Sequence, residues 1–191
     1  MAERVSALEG HLGARRLGSV GEAGAGVVLS EQRIGSLWQL ASWPDRLSTV
    51  GATAAALAGA ENAPAPGRVA VGSHGRLIRV EALKWLLERP AGAEDPSLPI
   101  ENGTVLDLTH ARTLIRIEGS AASELIARLV AIDIRPVEFP EGAAAQTAYH
   151  GVGLTLIRRG KGFDILVFRS FALTLWEELA EIGAQFGCEI A

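Results

Sequence analysis

The chain has 191 residues, of which 48% are hydrophobic and 21% charged, a composition typical of a folded protein rather than a disordered one. With a formal net charge of −4, the chain lacks the excess positive charge that drives non-specific binding to nucleic acid, so we expect no nucleic-acid partner. The single cysteine excludes an intrachain disulfide. Because no secretory leader and no long apolar run are present, we expect a cytoplasmic protein without a membrane span.

The first 26 residues differ in composition from the rest of the chain. Residues 1–26 are rich in Gly, Ala and Arg and show almost no hydrophobic periodicity, which predicts a flexible N-terminal arm. Such an arm is either a mobile terminus or a segment that becomes ordered against a partner. Residues 27–191 are expected to form a single α+β domain.

The first half of this domain, residues 27–89, begins its regular structure with a strand at Ser36–Trp43 that carries apolar groups on both faces. Pro44 stops the strand, and Asp45 is the expected cap of an alanine-rich helix that continues to Ala58. After this helix, apolar runs separated by turn residues predict two or three further strands over residues 68–89.

Residues 90–103 form the predicted internal linker, because they hold three prolines and two glycines. The second half, residues 104–191, then begins with a strand at Arg112–Gly119, whose apolar residues alternate with partly charged ones. Ser120 is the expected N-cap of a short amphipathic helix that follows this strand.

The end of the chain predicts a hairpin and a last helix. Residues 151–168 give two apolar strands joined by a basic turn. Ser170 is the expected cap of an amphipathic helix that buries Trp176 and ends at Gly187. Both halves therefore show the same order of strand, helix and further strands, from which we infer a duplicated strand-helix-strand-strand plan.

Four histidines are the first candidates for chemistry. None of them is followed three or four residues later on a helix by an acidic residue or a second histidine, so we expect turn or edge positions rather than a metal or catalytic site. The histidines are His11, His74, His110 and His150.

The densest polar group is "DLTHAR", where Asp107, His110 and Arg112 lie within six residues between two apolar strands. A catalytic role is one interpretation. The interpretation that we favour is structural, with Asp107 and Thr109 accepting backbone amides in a tight connection.

Two further motifs resemble phosphate sites only weakly. The glycine-rich "GEAGAG" of Gly21–Gly26 precedes a strand rather than a helix, so it lacks the free helical amides that hold a phosphate. The basic cluster of Arg158, Arg159 and Lys161 surrounds Gly160 and is interpreted as a solvated hairpin tip. The residues alone therefore predict no catalytic, cofactor-binding or metal-binding residue in this chain.

Three blocks in the second half carry a family resemblance. They are "DLTHARTLIRIEG" from Asp107, "IDIRPVEFPEGAAAQT" from Ile132 and "FDILVFRSFALTLWEEL" from Phe163. In this order and spacing they resemble sarcosine oxidase gamma subunits, a branch of the superfamily of the folate-binding aminomethyltransferase of the glycine cleavage system. Weaker similarity continues upstream through "WQLASWP", "LKWLLE" and "SALEG".

The resemblance implies a fold like that of the folate-binding aminomethyltransferase domain and a role as a non-catalytic subunit. Its partners would be the alpha, beta and delta subunits of a heterotetrameric sarcosine oxidase. Such a complex oxidises sarcosine to glycine, with 5,10-methylenetetrahydrofolate and hydrogen peroxide as further products. FAD, FMN, NAD and tetrahydrofolate would be bound by the complex, and the family assigns no catalytic residue to the gamma chain.

Two alternatives stay open at the level of sequence. One is an independent folate-dependent aminomethyltransferase, for which kinship of fold is the only support. The other is a small-molecule regulatory module with repeated α+β halves.

Overall fold

A computed structural model of the chain describes residues 5–21 and 24–191. These residues form two compact units, both built of strands and helices. The first unit holds the described residues up to Arg33 together with Ala111–Glu141 and Gln146–Ala191, and the second holds Ile34–His110 and Gly142–Ala145. The predicted linker, residues 90–103, lies inside the second unit.

The second unit consists of an antiparallel five-stranded sheet and one helix. Its sheet has the order β4-β5-β6-β3-β7. Its elements are β3 (Ser36–Ser42), α1 (Leu47–Ala58), β4 (Val69–Gly72), β5 (Gly75–Glu81), β6 (Lys84–Arg89) and β7 (Gly103–Asp107).

Helix α1 covers the apolar face of this sheet. Its buried residues Val50, Ala54 and Ala58 fall at steps of four and pack with Trp85 of β6 in one core cluster. The helix ends at Gly59, whose φ of 67° is left-handed and whose amide reaches back to the carbonyls of the last turn. The predicted strand, helix and meander of two or three strands are confirmed here, with three strands in the meander.

The first unit consists of a seven-stranded sheet and two helices. The sheet has the order β1-β12-β2-β8-β11-β10-β9, and only the β12–β2 pair is parallel among those with a described register. Its elements are β1 (Arg15–Leu17), β2 (Val27–Gln32), β8 (Arg112–Glu118), α2 (Ala122–Leu129), β9 (Ala144–Tyr149), β10 (Val152–Arg159), β11 (Gly162–Phe168), α3 (Ala172–Ala184) and β12 (Cys188–Ile190).

The predicted duplication is confirmed by the topology of the two sheets. In the second unit β3 leads through α1 to the meander β4-β5-β6, and β6 returns to pair with β3. In the first unit β8 leads through α2 to β9-β10-β11, and β11 returns to pair with β8. Each first strand has one more antiparallel neighbour, which is β7 in the second unit and β2 in the first.

The predicted side-chain caps of the helices are wrong. No side-chain cap bond is present at the start of α1, α2 or α3, where Asp45, Ser120 and Ser170 were expected to act. A single 3-10 turn leads directly into α1 and another into α3, so the chain already turns helically before each helix begins.

The flexible arm is also corrected for the residues that the structure describes. Strand β1 pairs with β12 at the edge of the seven-stranded sheet, and the side chain of Leu8 is fully buried. The hydroxyl of Ser6 hydrogen-bonds the carboxylate of Glu31 on β2. One buried leucine and a three-residue strand are too short to produce a periodic pattern, but they fix the segment against its own unit.

Candidate functional site

All four histidines lie in turns. His74, His110 and His150 are exposed, and the amide of His11 donates to the carbonyl of Leu8 at 2.8 Å. Across residues 5–21 and 24–191, no three His, Cys, Asp or Glu side chains are grouped so that they could hold a metal ion.

One histidine belongs to a small surface cluster. His150 has a positive φ of 46° and stacks on Tyr149, with ring centroids 4.1 Å apart. The hydroxyl of Tyr149 donates to the Glu178 carboxylate at 2.9 Å, and this hydrogen bond raises the pKa of Tyr149. The cluster ties the β9–β10 turn to helix α3.

The polar run "DLTHAR" forms a connection, as the favoured interpretation predicts. Asp107 accepts the amide of Thr109 at 2.8 Å, and the Thr109 hydroxyl oxygen accepts the amide of Leu37 at 3.0 Å. His110 is exposed at the end of the second unit, whereas Arg112 begins β8 of the first. These two side chains are therefore held by different units.

The glycine-rich "GEAGAG" lies partly outside the described residues, because Glu22 and Ala23 are not described. Gly24 donates its amide to the carbonyl of Gly21 at 3.0 Å, and Gly26 donates to that of Phe186 at 3.1 Å. The segment leads into strand β2, as predicted, and not into a helix.

The basic turn between β10 and β11 is not a purely solvated tip, which corrects the sequence interpretation. Arg158 is only 6% exposed, and its guanidinium lies 4.7 Å from the ring centroid of its register partner Phe163. It donates to the carbonyl of Ile134. Arg159 and Lys161 are exposed, so the three basic side chains do not form one site.

Sequence reasoning missed an ion pair inside the first unit. Asp164 on β11 and Arg116 on β8 are register partners, and their side chains are 0% and 17% exposed. Nε of Arg116 donates to Oδ1 at 2.9 Å and Nη2 donates to Oδ2 at 3.3 Å. The charged positions in the two strands were visible, but their pairing across 48 residues was not.

The feature best suited to contact another molecule surrounds the end of β11. We call it the Phe168 surface and define it by Arg112, Phe168, Arg169 and Phe171. Phe168 and Phe171 are each 45% exposed, which is high for a phenylalanine. Arg112 is the register partner of Phe168, and its guanidinium stacks 3.5 Å from the centroid of that ring.

Phe168 lines two hollows. One, of ≈ 480 Å³, is lined by Arg112 and Leu166 with Gln146–Ala148 and Gly153–Thr155. The other, of ≈ 550 Å³, is lined by Ala7, Ala111, Arg169, Ser170 and Leu173. From the sequence, these residues were assigned to strands and turns. The one feature of the sequence that could have indicated a binding surface here is the pair of phenylalanines on either side of "RS" at the end of a strand.

Comparison with known proteins identifies the type of fold. None of the family models matches this sequence, and none of the curated proteins does. Among solved structures, the glycine cleavage system aminomethyltransferase T from Bartonella henselae is similar, with a TM-score of 0.59 and 15% identity. The match covers 90% of this chain but 55% of that one. The chain thus has the α+β fold of folate-binding aminomethyltransferase-type domains.

A second solved structure matches over almost the whole of both chains. It is the heterotetrameric sarcosine oxidase from Corynebacterium sp. U-96 in complex with pyrrole 2-carboxylate. The TM-score is 0.72 and the identity 24%, and the match covers 89% of this chain and 88% of that chain. At this identity the likeness shows a shared fold.

Proposed function

We propose that this chain is the gamma-type subunit of a heterotetrameric sarcosine oxidase, a non-catalytic subunit that supports assembly. The observation that carries the proposal is the end-to-end match with one chain of such an oxidase, at 89% and 88% coverage. The match thus extends over most of a chain of such an oxidase.

The partners under this proposal are the alpha, beta and delta subunits, and the complex works in the cytoplasm. It oxidatively demethylates sarcosine to glycine with oxygen and tetrahydrofolate and releases hydrogen peroxide and 5,10-methylenetetrahydrofolate. FAD, FMN, NAD and tetrahydrofolate are assigned to the other subunits or to the assembled complex. For the described residues, no helix is long and apolar enough to span a membrane.

The family motifs also occupy structurally important places. "DLTHARTLIRIEG" forms the connection at Asp107 and strand β8, and "FDILVFRSFALTLWEEL" forms β11, the Phe168 surface and α3. The second of these blocks therefore contains the exposed side chains of Phe168 and Phe171. Exposed apolar side chains in such a block support a role in contact with other chains.

Co-expression tests the proposal. The chain is produced with the alpha, beta and delta subunits from the same organism, and with those three alone. We expect the four-chain preparation to co-purify as one complex and to form hydrogen peroxide from sarcosine. Full assembly and full activity without this chain would overturn the proposal.

The alternative of an independent aminomethyltransferase is favoured only by the likeness to aminomethyltransferase T. The chain spans about half of that protein's length, with 55% coverage, which counts against it. Calorimetry of the purified chain with tetrahydrofolate separates the two. Tight binding by the isolated chain would favour the transferase.

A further inference from the structure

The Phe168 surface carries two positive charges without negative partners. No carboxylate of the described residues forms a salt bridge with Arg112 or Arg169. Their guanidinium groups donate to backbone carbonyls instead: Arg112 donates to that of Ala111 at 3.4 Å and Arg169 to that of Val5 at 2.6 Å. The guanidinium of Arg112 is partly buried, and this desolvation lowers its pKa. A chain with a net charge of −4 thus holds a local cationic site.

The same surface offers apolar area and empty space. Phe168 and Phe171 are exposed three residues apart, and Phe168 lines both hollows, of ≈ 480 Å³ and ≈ 550 Å³. At Gly153, in the wall of the first hollow, an added Cβ would meet no atom within 4 Å. This side of the sheet therefore has room for the side chains of another molecule.

Strand β9 is the edge strand of the sheet beside the first hollow. It is the last strand in the sheet order, and its exposed residues Gln146 and Ala148 line the hollow, whereas the amide of Ala144 at its start donates to the carbonyl of Gly67. An open edge can accept an extended chain through main-chain hydrogen bonds. A small molecule would use one hollow, whereas an extended chain can contact both, because Phe168 lines each of them.

We propose that the Phe168 surface binds an extended acidic segment of a partner subunit. Carboxylates of the segment pair with Arg112 and Arg169, and an apolar side chain of the segment enters the hollow beside Phe168. Charge complementarity selects an acidic segment over a basic one. The inference rests on the proposed function only in assigning the segment to a subunit of the same complex.

The binding test uses the purified full-length chain and synthetic peptides. The probe is a fluorescent, acetylated octapeptide that alternates leucine and glutamate, and the matched control peptide has lysine in place of each glutamate. Binding is measured by fluorescence anisotropy to the parent chain and to the double variant Arg112→Gln/Arg169→Gln. The control protein, Arg46→Gln/Arg135→Gln, loses two exposed arginines that are paired with Asp45 and Asp133.

We expect the acidic peptide to bind the parent and the control protein equally, and the double variant at least about tenfold more weakly. Phe168→Ala should weaken binding by a similar factor without changing the melting temperature appreciably, because the ring is half exposed. Absence of binding by the parent at about 1 mM peptide would overturn the proposal. So would equal binding of the lysine peptide, or unchanged binding by the double variant.

Two further measurements separate the alternatives. If phenylbutyrate displaces the peptide and binds as tightly as the peptide, the surface is a binding site for small carboxylic acids and the peptide proposal fails. Co-purification with the other three subunits is then compared for the parent and the double variant. If the parent does not assemble, the proposed function fails, while the peptide result still decides whether the surface binds acidic segments.

Discussion

Replacing Asp164 by leucine leaves the guanidinium of Arg116 without the carboxylate that faces it inside the first unit. Asp164 has no exposed side-chain area and Arg116 keeps 17%. Removing one partner of such a buried pair costs about 3 to 5 kcal/mol, because the remaining charge stays desolvated. The variant Arg116→Met should also destabilise the chain, since it removes the guanidinium that faces this buried carboxylate.

The double variant Arg116→Met/Asp164→Leu gives the opposite expectation. Well-packed apolar residues often replace a buried ion pair at little cost, so the double variant should lie within about 1 kcal/mol of the parent. The two changes are then strongly non-additive, with a coupling energy of several kcal/mol. The side-chain oxygen Oε1 of Gln32, which accepts a hydrogen bond from Arg116 at 3.4 Å, loses only this long contact.

Urea denaturation monitored by circular dichroism measures these free energies of unfolding for the parent and the three variants. The exposed pair Arg135–Asp133 provides the matched control, because a solvated pair contributes about 0 to 1 kcal/mol. Losses below about 1 kcal/mol in both single variants, or additive losses in the double variant, would refute the assignment of a desolvated pair.

Four other predictions follow from burial and backbone geometry. Trp176→Ala should destabilise the chain by about 3 to 5 kcal/mol in urea melts, and Trp176→Phe by clearly less, because the indole is fully buried. Leu8→Ala should cost about 2 to 5 kcal/mol, whereas a mobile arm would show no change. Gly119→Ala should be far more destabilising in thermal melts than Gly151→Ala: both have positive φ, but the added Cβ would lie 2.3 Å from a backbone oxygen only at Gly119. Burial raises the pKa of Cys188 to about 11, so iodoacetamide should label the folded thiol only slowly at neutral pH, by mass spectrometry. The contribution of the neutral, buried Cys188 thiol to the free energy of unfolding is fully present below the thiol's pKa in the unfolded chain, about 8.5. This contribution is lost as the pH rises through the pKa of the folded state.

The local pattern of the sequence was enough to predict the type and order of most elements. Alternating apolar residues marked β3, β8 and the β10–β11 hairpin, and helical steps marked α3, because these periods follow from backbone geometry alone. The duplication was visible for the same reason, since both halves repeat the same order of periods.

Helix starts and the N-terminal segment show where local reasoning failed. Ser120 and Ser170 had the right residue type for caps, but the chain enters α3 through a 3-10 turn and α2 begins one residue later than the expected cap would place it. Leu8 carried no periodic signal, yet it is fully buried because the strand after it, β1, finds its partner at the far end of the chain.

The candidate surface depended entirely on tertiary structure. Arg112 meets Phe168 and Arg116 meets Asp164 because β8 and β11 are antiparallel neighbours in one particular register. A shift of one residue would turn each of these side chains to the other face of the sheet. The sequence by itself therefore determined which residues form strands and which are charged or aromatic. Only the pairing of strands distant in the chain decided which charges are neutralised inside the fold and which stay available at its surface.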